Sequence, residues 1–164
     1  MRNFKDFISI LGDAFGKFGY ILFTTGGTQA DIVNLIDKLK TKENLRDMIL
    51  CKGGWRIFPP ACVVVGVLEL ENFLDDIISV WAVSQNNQCT EAAIFAILKT
   101  GGNETLSYLA DMLDKSSSHS GHYKSENDAC LRNAIDYVSN TEMRLSNTYW
   151  YRFSDISSDI GKLN

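Results

Sequence analysis

His119 and His122 are the only histidines in the chain, and they lie three residues apart in a hydrophilic stretch. Glu126, Asp128 and Cys130 follow closely, so the residue types of a metal site or a nucleophilic site occur together here. A metal needs ligands in a fixed geometry, which a serine-rich loop provides poorly. We therefore expect exposed loop residues, with no bound metal and no cofactor. An enzyme or small-ligand-binding domain with a pocket near His119, His122 and Cys130 is the alternative.

Other patterns that could do chemistry are weak. The glycine pairs at 26–27 and 101–102 lack the Gly-Lys-Ser/Thr sequence that seats a nucleotide phosphate, and no two cysteines have the C-x-x-C spacing of a zinc cluster. Asp75 and Asp76 are adjacent, which on a helix points their side chains about 100° apart. They are therefore not a ready acid–base pair. The sequence predicts a protein that is not an enzyme.

The charge distribution gives a more useful indication of function. Residues 59–98 contain five acidic side chains and no basic one, while the whole chain has a net charge of −4. Nucleic acid is disfavoured as a partner because phosphate binding needs a positive surface. A basic protein is favoured, since complementary charge speeds encounter and fixes register. The candidate contact residues in this segment are Glu69, Glu71, Asp75 and Asp76.

These observations predict a non-enzymatic protein-binding domain. Its most concrete form is an acidic inhibitor or immunity protein that neutralises a basic toxin, such as a nuclease, by covering the positive cleft. Tyr149, Trp150 and Arg152 form an aromatic and basic cluster near the C-terminus, and such residues are common at binding hot spots and also in cores. A structural or scaffold subunit is a further alternative, and the sequence leaves self-association open.

The acidic residues require an element that positions them, and the stretch Pro59–Gln85 is typical of one long helix. Its apolar residues are spaced alternately four and three apart, as on one face of a helix. The first turns are apolar all round, which predicts burial, and the later turns carry the acids on the opposite face. Two prolines suit the helix start, although the β-branched run at 63–65 also fits a buried strand. The apolar stripe consists of Val63, Val67, Leu70, Leu74, Ile77 and Trp81.

The remaining chain shows helical spacing throughout. We predict an all-α single-domain bundle of about six to eight helices over residues 1–164, with N-caps at Thr90, Asn103 and Ser125. The helix after Thr90 is rich in small residues, which suits close packing. Thr-Gly-Gly occurs at 25–27 and again at 100–102, each time before a helical pattern. Two similar helical hairpins around the central helix would explain this, but coincidence is the preferred explanation, because Gly commonly follows a helix.

The four cysteines, at positions 51, 62, 89 and 130, are widely spaced. The charged N-terminal region does not resemble a secretory leader, and no apolar run is as long as a membrane span. We therefore expect free thiols, a cytoplasmic protein and no membrane partner.

Overall fold

The computed structural model describes residues 4–11, 29–39, 42–51, 55–118 and 120–139. These ranges contain eight α-helices, two short 3-10 helices and no strand, so the predicted all-α fold class is confirmed. The α-helices are α1 (Phe4–Leu11), α2 (Gln29–Leu39), α3 (Lys42–Ile49), α4 (Phe58–Val67), α5 (Leu74–Ser84), α6 (Asn87–Thr100), α7 (Thr105–Ser117) and α8 (Lys124–Ser139). The 3-10 helices are Glu71–Phe73 and Gly102–Glu104.

Helix α6 lies at the centre of the described part. It packs most extensively against α4 and also contacts α5, α7 and α8. Every residue from Cys89 to Ile97 except Glu91 is buried. The predicted small-residue helix is therefore present, and α4, α5, α7 and α8 pack around it. Its alanines carry little side-chain volume, so neighbouring backbones approach closely.

The prediction of one continuous helix from Pro59 to Gln85 is wrong. Helix α4 ends at Val67, and the chain turns through a 3-10 helix before α5 begins at Leu74. A straight helix of this length would extend about 40 Å, beyond the core it must cover. Breaking it lets α4 bury its whole circumference and lets α5 bury a single face. The strand alternative for residues 63–65 is also wrong, because they are helical and buried.

Helix α4 ends in a Schellman motif that has a glutamate where glycine is usual. The Leu70 N–H donates to the Val65 carbonyl at 3.0 Å, and the Glu69 N–H donates to the Gly66 carbonyl at 3.4 Å. Glu69 occupies the C′ position with φ of 51°, and it is the only non-glycine residue of the described ranges with a left-handed φ. No glycine occupies this position to mark the helix end in the sequence.

Gly66 brings α4 and α6 together. A Cβ atom on Gly66 would lie 2.6 Å from Phe95 Cε1 and 3.3 Å from the Cα of Ala96. These separations are below van der Waals contact, so only a glycine fits without a shift of the Phe95 ring. Pro59 and Pro60 lie in the first turn of α4, as predicted.

The predicted N-caps are displaced from the helix starts. Helix α6 begins earlier, at Asn87, and Asn86 Oδ1 accepts a 2.9 Å hydrogen bond from the Cys89 N–H. Asn103 lies in a 3-10 helix ahead of α7, and Ser125 lies inside α8. All three residues can accept a capping hydrogen bond, but the helices start at other positions. Asn86 caps α6, a 3-10 helix precedes α7, and α8 starts one residue before Ser125. The first Thr-Gly-Gly lies outside the described residues, so the choice between coincidence and duplication stays untested.

All four cysteines are free, and Cys51, Cys62 and Cys89 are buried. Within the described ranges, no helix combines the length and the apolar character needed to cross a membrane.

Candidate functional site

The four predicted acidic contact residues do not share one helix face, because the long helix does not exist. Glu69 lies in the turn after α4, Glu71 in the 3-10 helix, and Asp75 and Asp76 in the first turn of α5. Glu69, Glu71 and Asp75 are exposed. The four acidic residues therefore lie on a turn, a 3-10 helix and α5, and not on the single helix that the sequence predicted.

Asp76 is compensated by a base from another helix. Its Oδ2 lies 3.0 Å from Nη2 of Arg46 on α3, without the alignment of a hydrogen bond. The Asp76 side chain is 23% exposed and that of Arg46 is 62% exposed. Asp76 thus connects α5 to α3, and the prediction that it belongs to an uncompensated acidic face is wrong. The segment contains no base of its own, but the fold supplies one.

A different acid joins the surface instead. Tyr108 of α7 is half-buried, and its hydroxyl pKa is raised from 10.0 by desolvation, then by the negative charges of Asp75, Glu71 and Glu104. Helix α5 packs against α7, which brings these carboxylates near enough to act on one hydroxyl. Glu104 is exposed and ends the second 3-10 helix. We call Glu71, Asp75, Glu104 and Tyr108 the acidic surface.

Sequence reasoning missed Glu104 and Tyr108 because they follow the base-free segment and join it only through packing. Acids at these positions also have a local role. Asp75 lies in the first turn of α5, and Glu104 immediately precedes α7. Carboxylates at helix N-termini are stabilised by the helix dipole, typically by about 0.3–1 kcal/mol. The surface is therefore compatible with the stability of the helices that form it.

A chain of buried hydrogen bonds connects the C-terminal part of α5 to two neighbouring helices. Trp81 Nε1 donates to Thr90 Oγ1 at 2.8 Å. The Thr90 hydroxyl lies 2.8 Å from Asn127 Oδ1, with the Asn86 carbonyl as a second acceptor at 2.9 Å. Asn127 Nδ2 donates to the Gln85 carbonyl at 2.9 Å, which fixes the orientation of the amide. These hydrogen bonds join α5, α6 and α8. No motif in the sequence indicates that the residues involved would meet.

The hairpin of α7 and α8 is closed by a second polar group at its turn. Lys124 Nζ donates to the carbonyls of Ser116 and Ser117 at 3.1 Å each, at the end of α7. The Ser116 hydroxyl donates to Asp128 Oδ1 at 2.5 Å. Gln85 Nε2 also reaches the Lys115 carbonyl at 3.3 Å. Asp128 therefore bonds across the hairpin.

The residues of the alternative pocket are only partly described. His119 lies outside the described residues, and His122 is exposed, with its ring edge-on to Tyr123 at 5.1 Å between centroids. Burial, followed by the charges of Glu91 and Glu126, raises the Cys130 pKa to about 11. That thiol is therefore protonated at neutral pH, which makes it a poor nucleophile. The described ranges contain no group of three His, Cys, Asp or Glu side chains placed to hold a metal.

Tyr149, Trp150 and Arg152 lie outside the described residues, so their role in binding stays a prediction. The chain has no significant match among protein-family models, curated proteins or solved structures. The acidic surface is therefore the feature of this protein that indicates a function.

Proposed function

We propose that this protein is a non-enzymatic binding domain whose acidic surface contacts a basic protein. One observation carries the proposal: three carboxylates from three separate elements lie near enough to the Tyr108 hydroxyl for their charges to raise its pKa. Exposed carboxylates attract Lys and Arg side chains, and a tyrosine ring adds contact area and a face for cations. Asp76 pairs with Arg46, and Glu69 is not among the charges that raise the Tyr108 pKa, so neither belongs to this proposed contact.

The most concrete form of the proposal is an inhibitor or immunity protein that neutralises a basic toxin such as a nuclease. A nuclease cleft attracts phosphates through Lys and Arg, and a surface with several carboxylates competes for the same side chains. The net charge of −4 supports electrostatic steering toward such a cleft. The inhibitor or immunity role is supported by the negative charge of the protein and by analogy with acidic proteins that inhibit basic enzymes.

The test uses a panel of purified basic proteins, including nucleases, immobilised for kinetic binding measurements. We expect specific one-to-one binding to at least one nuclease, with inhibition of its cleavage. The triple variant Glu71→Gln, Asp75→Asn, Glu104→Gln should lower the association rate by about tenfold or more at low salt, because steering depends on these charges. Tyr108→Ala should mainly raise the dissociation rate.

A matched control removes the same number of charges from another part of the chain. Asp111, Asp114 and Glu126 are exposed and lie on α7 and α8, away from the end of α7 that carries Glu104. Their neutralisation to Asn, Asn and Gln should change the association rate far less. Equal loss in the two triple variants would show a general charge effect. The absence of binding to every basic protein would contradict the proposed function.

A further inference from the structure

The turn between α7 and α8 is joined to the core less firmly than the rest of α8. Ser117, Ser118 and the residues 120–126 are exposed, apart from Lys124, which is partly buried. Asn127 and Leu131, further along α8, are fully buried. Burial of side chains therefore holds α8 from Asn127 onward and contributes less to the turn that precedes it.

The Lys124 side chain connects the end of α7 to the start of α8. Its Nζ donates to the carbonyls of Ser116 and Ser117 at 3.1 Å each, and it lies 3.6 Å from Asp128 Oδ2. Both carbonyls belong to the last turn of α7, where a helix leaves its C=O groups without partners of its own. A positive charge at this end is also favoured by the helix dipole.

Asp128 adds a second connection at the same place. Its Oδ1 accepts a hydrogen bond from the Ser116 hydroxyl at 2.5 Å. The Asp128 side chain is 21% exposed and that of Lys124 is 37% exposed. Without the ammonium, two carbonyls and one carboxylate oxygen would lose the donor that they share at a partly buried position, which is unfavourable.

We propose that Lys124 is a charge-dependent latch: its ammonium keeps the turn between α7 and α8 closed, and loss of its charge favours an open turn while the core stays folded. The opening includes the first turn of α8 and stops at Asn127, because the Asn127 amide is held by the Gln85 carbonyl at 2.9 Å. The latch lies at the end of α7 and Glu104 precedes the start of that helix, so the latch is separate from the acidic surface.

The test is hydrogen exchange of single backbone amides followed by NMR. The Asn127 N–H reports the first turn of α8, since it donates to the Tyr123 carbonyl at 2.9 Å. Lys124→Met removes the charge and keeps an unbranched side chain. It should raise the opening constant at Asn127 by about tenfold, the lower end of the range for a charged donor, because water partly screens this one. The Leu131 and Ala134 amides should keep their wild-type protection.

Lys115→Met is the matched control. It removes the same charge from the same end of α7, but Lys115 pairs with Asp111 on its own helix. The opening constant at Asn127 should stay within about twofold of the wild type, since a surface pair within one helix contributes little. Equal effects of the two methionine variants would overturn the latch, as would unchanged exchange in Lys124→Met. A loss of protection that extends equally to Leu131 would also overturn it, because the opening would not be local.

Salt tests the role of charge without any variant. Raising sodium chloride from about 0.1 M to about 1 M shortens the Debye length from about 10 Å to about 3 Å. The opening constant at Asn127 in the wild type should then rise by roughly twofold after correction for intrinsic exchange, and Lys124→Met should show no such rise. A wild type in which opening does not vary with salt would overturn the latch.

Discussion

Glu69 shows how a single residue can end a helix without the usual sequence signal. It occupies the C′ position of a Schellman motif with φ of 51°, where glycine is favoured because it has no Cβ. Periodicity alone continued the helix through this position, because Leu70 and Leu74 keep the helical spacing. The predicted exposure of Glu69, Glu71 and Asp75 is confirmed. Their distribution over a turn, a 3-10 helix and α5 could not be predicted, because the periodic pattern does not show where α4 ends.

Replacing Glu69 with glycine should stabilise the protein by about 1 kcal/mol, because the strained left-handed conformation becomes unstrained. Urea unfolding followed by circular dichroism measures the change. Glu71→Gly is the matched control, since it removes the same side chain from the adjacent 3-10 helix, where φ is negative. It should destabilise by about 0.5–1 kcal/mol. Stabilisation by both variants, or by neither, would contradict the backbone explanation.

At the scale of elements, α5, α6 and α8 are joined by a directional chain of hydrogen bonds. The indole of Trp81 can only donate and the carbonyl of Gln85 can only accept, so Thr90 and Asn127 relay the bonds in one direction. Sequence reasoning correctly identified Trp81 as core but assigned Thr90 to a helix cap. Buried Thr and Asn have no periodic signature, so only the packing of three helices reveals their function.

Thr90→Val should destabilise the protein by about 2–3 kcal/mol, because it leaves the Trp81 N–H and Asn127 Oδ1 without a partner. Asn127→Leu should cost a similar amount, and the double variant should cost less than the sum by roughly 1 kcal/mol, since both remove one network. Urea unfolding of the four proteins measures this coupling.

Thr100→Val controls for the loss of a buried hydroxyl. The Thr100 hydroxyl donates only to Ala96 within α6, at 2.7 Å, so its removal should cost about 1 kcal/mol. If the losses of unfolding free energy from Thr90→Val and Asn127→Leu were strictly additive, the hydrogen bonds of Trp81, Thr90 and Asn127 would not act as one network.

At the scale of the whole molecule, the described helices contribute to a common hydrophobic core. It extends from Phe7 in α1 to Ala134 in α8. Fold class and most helices follow from the sequence because amphipathic spacing is a local property. The central position of α6 does not follow from the sequence. Its apolar residues indicate that the helix is buried, but they do not indicate which helices pack against it. Glu104 joins Asp75 only through the contact of α5 with α7, which likewise has no local signal.

A shared core should unfold cooperatively, so different probes should report one transition. Trp81 is fully buried, and its fluorescence becomes a specific probe when Trp55 and Trp150 are changed to phenylalanine. We expect the fluorescence and far-ultraviolet circular dichroism curves of this variant in urea to have coincident midpoints. Separate midpoints would show that the helices around Trp81 unfold independently of the rest.

The contact between Gly66 and Phe95 also has a consequence for the divergence of this fold. A Cβ at position 66 meets the Phe95 ring at 2.6 Å, so the two positions share one fixed volume between α4 and α6. A homologue that gains an alanine at 66 would need a smaller side chain at 95, or a wider separation of the two helices. Paired substitution at these positions would therefore identify distant relatives that retain the same helix crossing after overall similarity has faded.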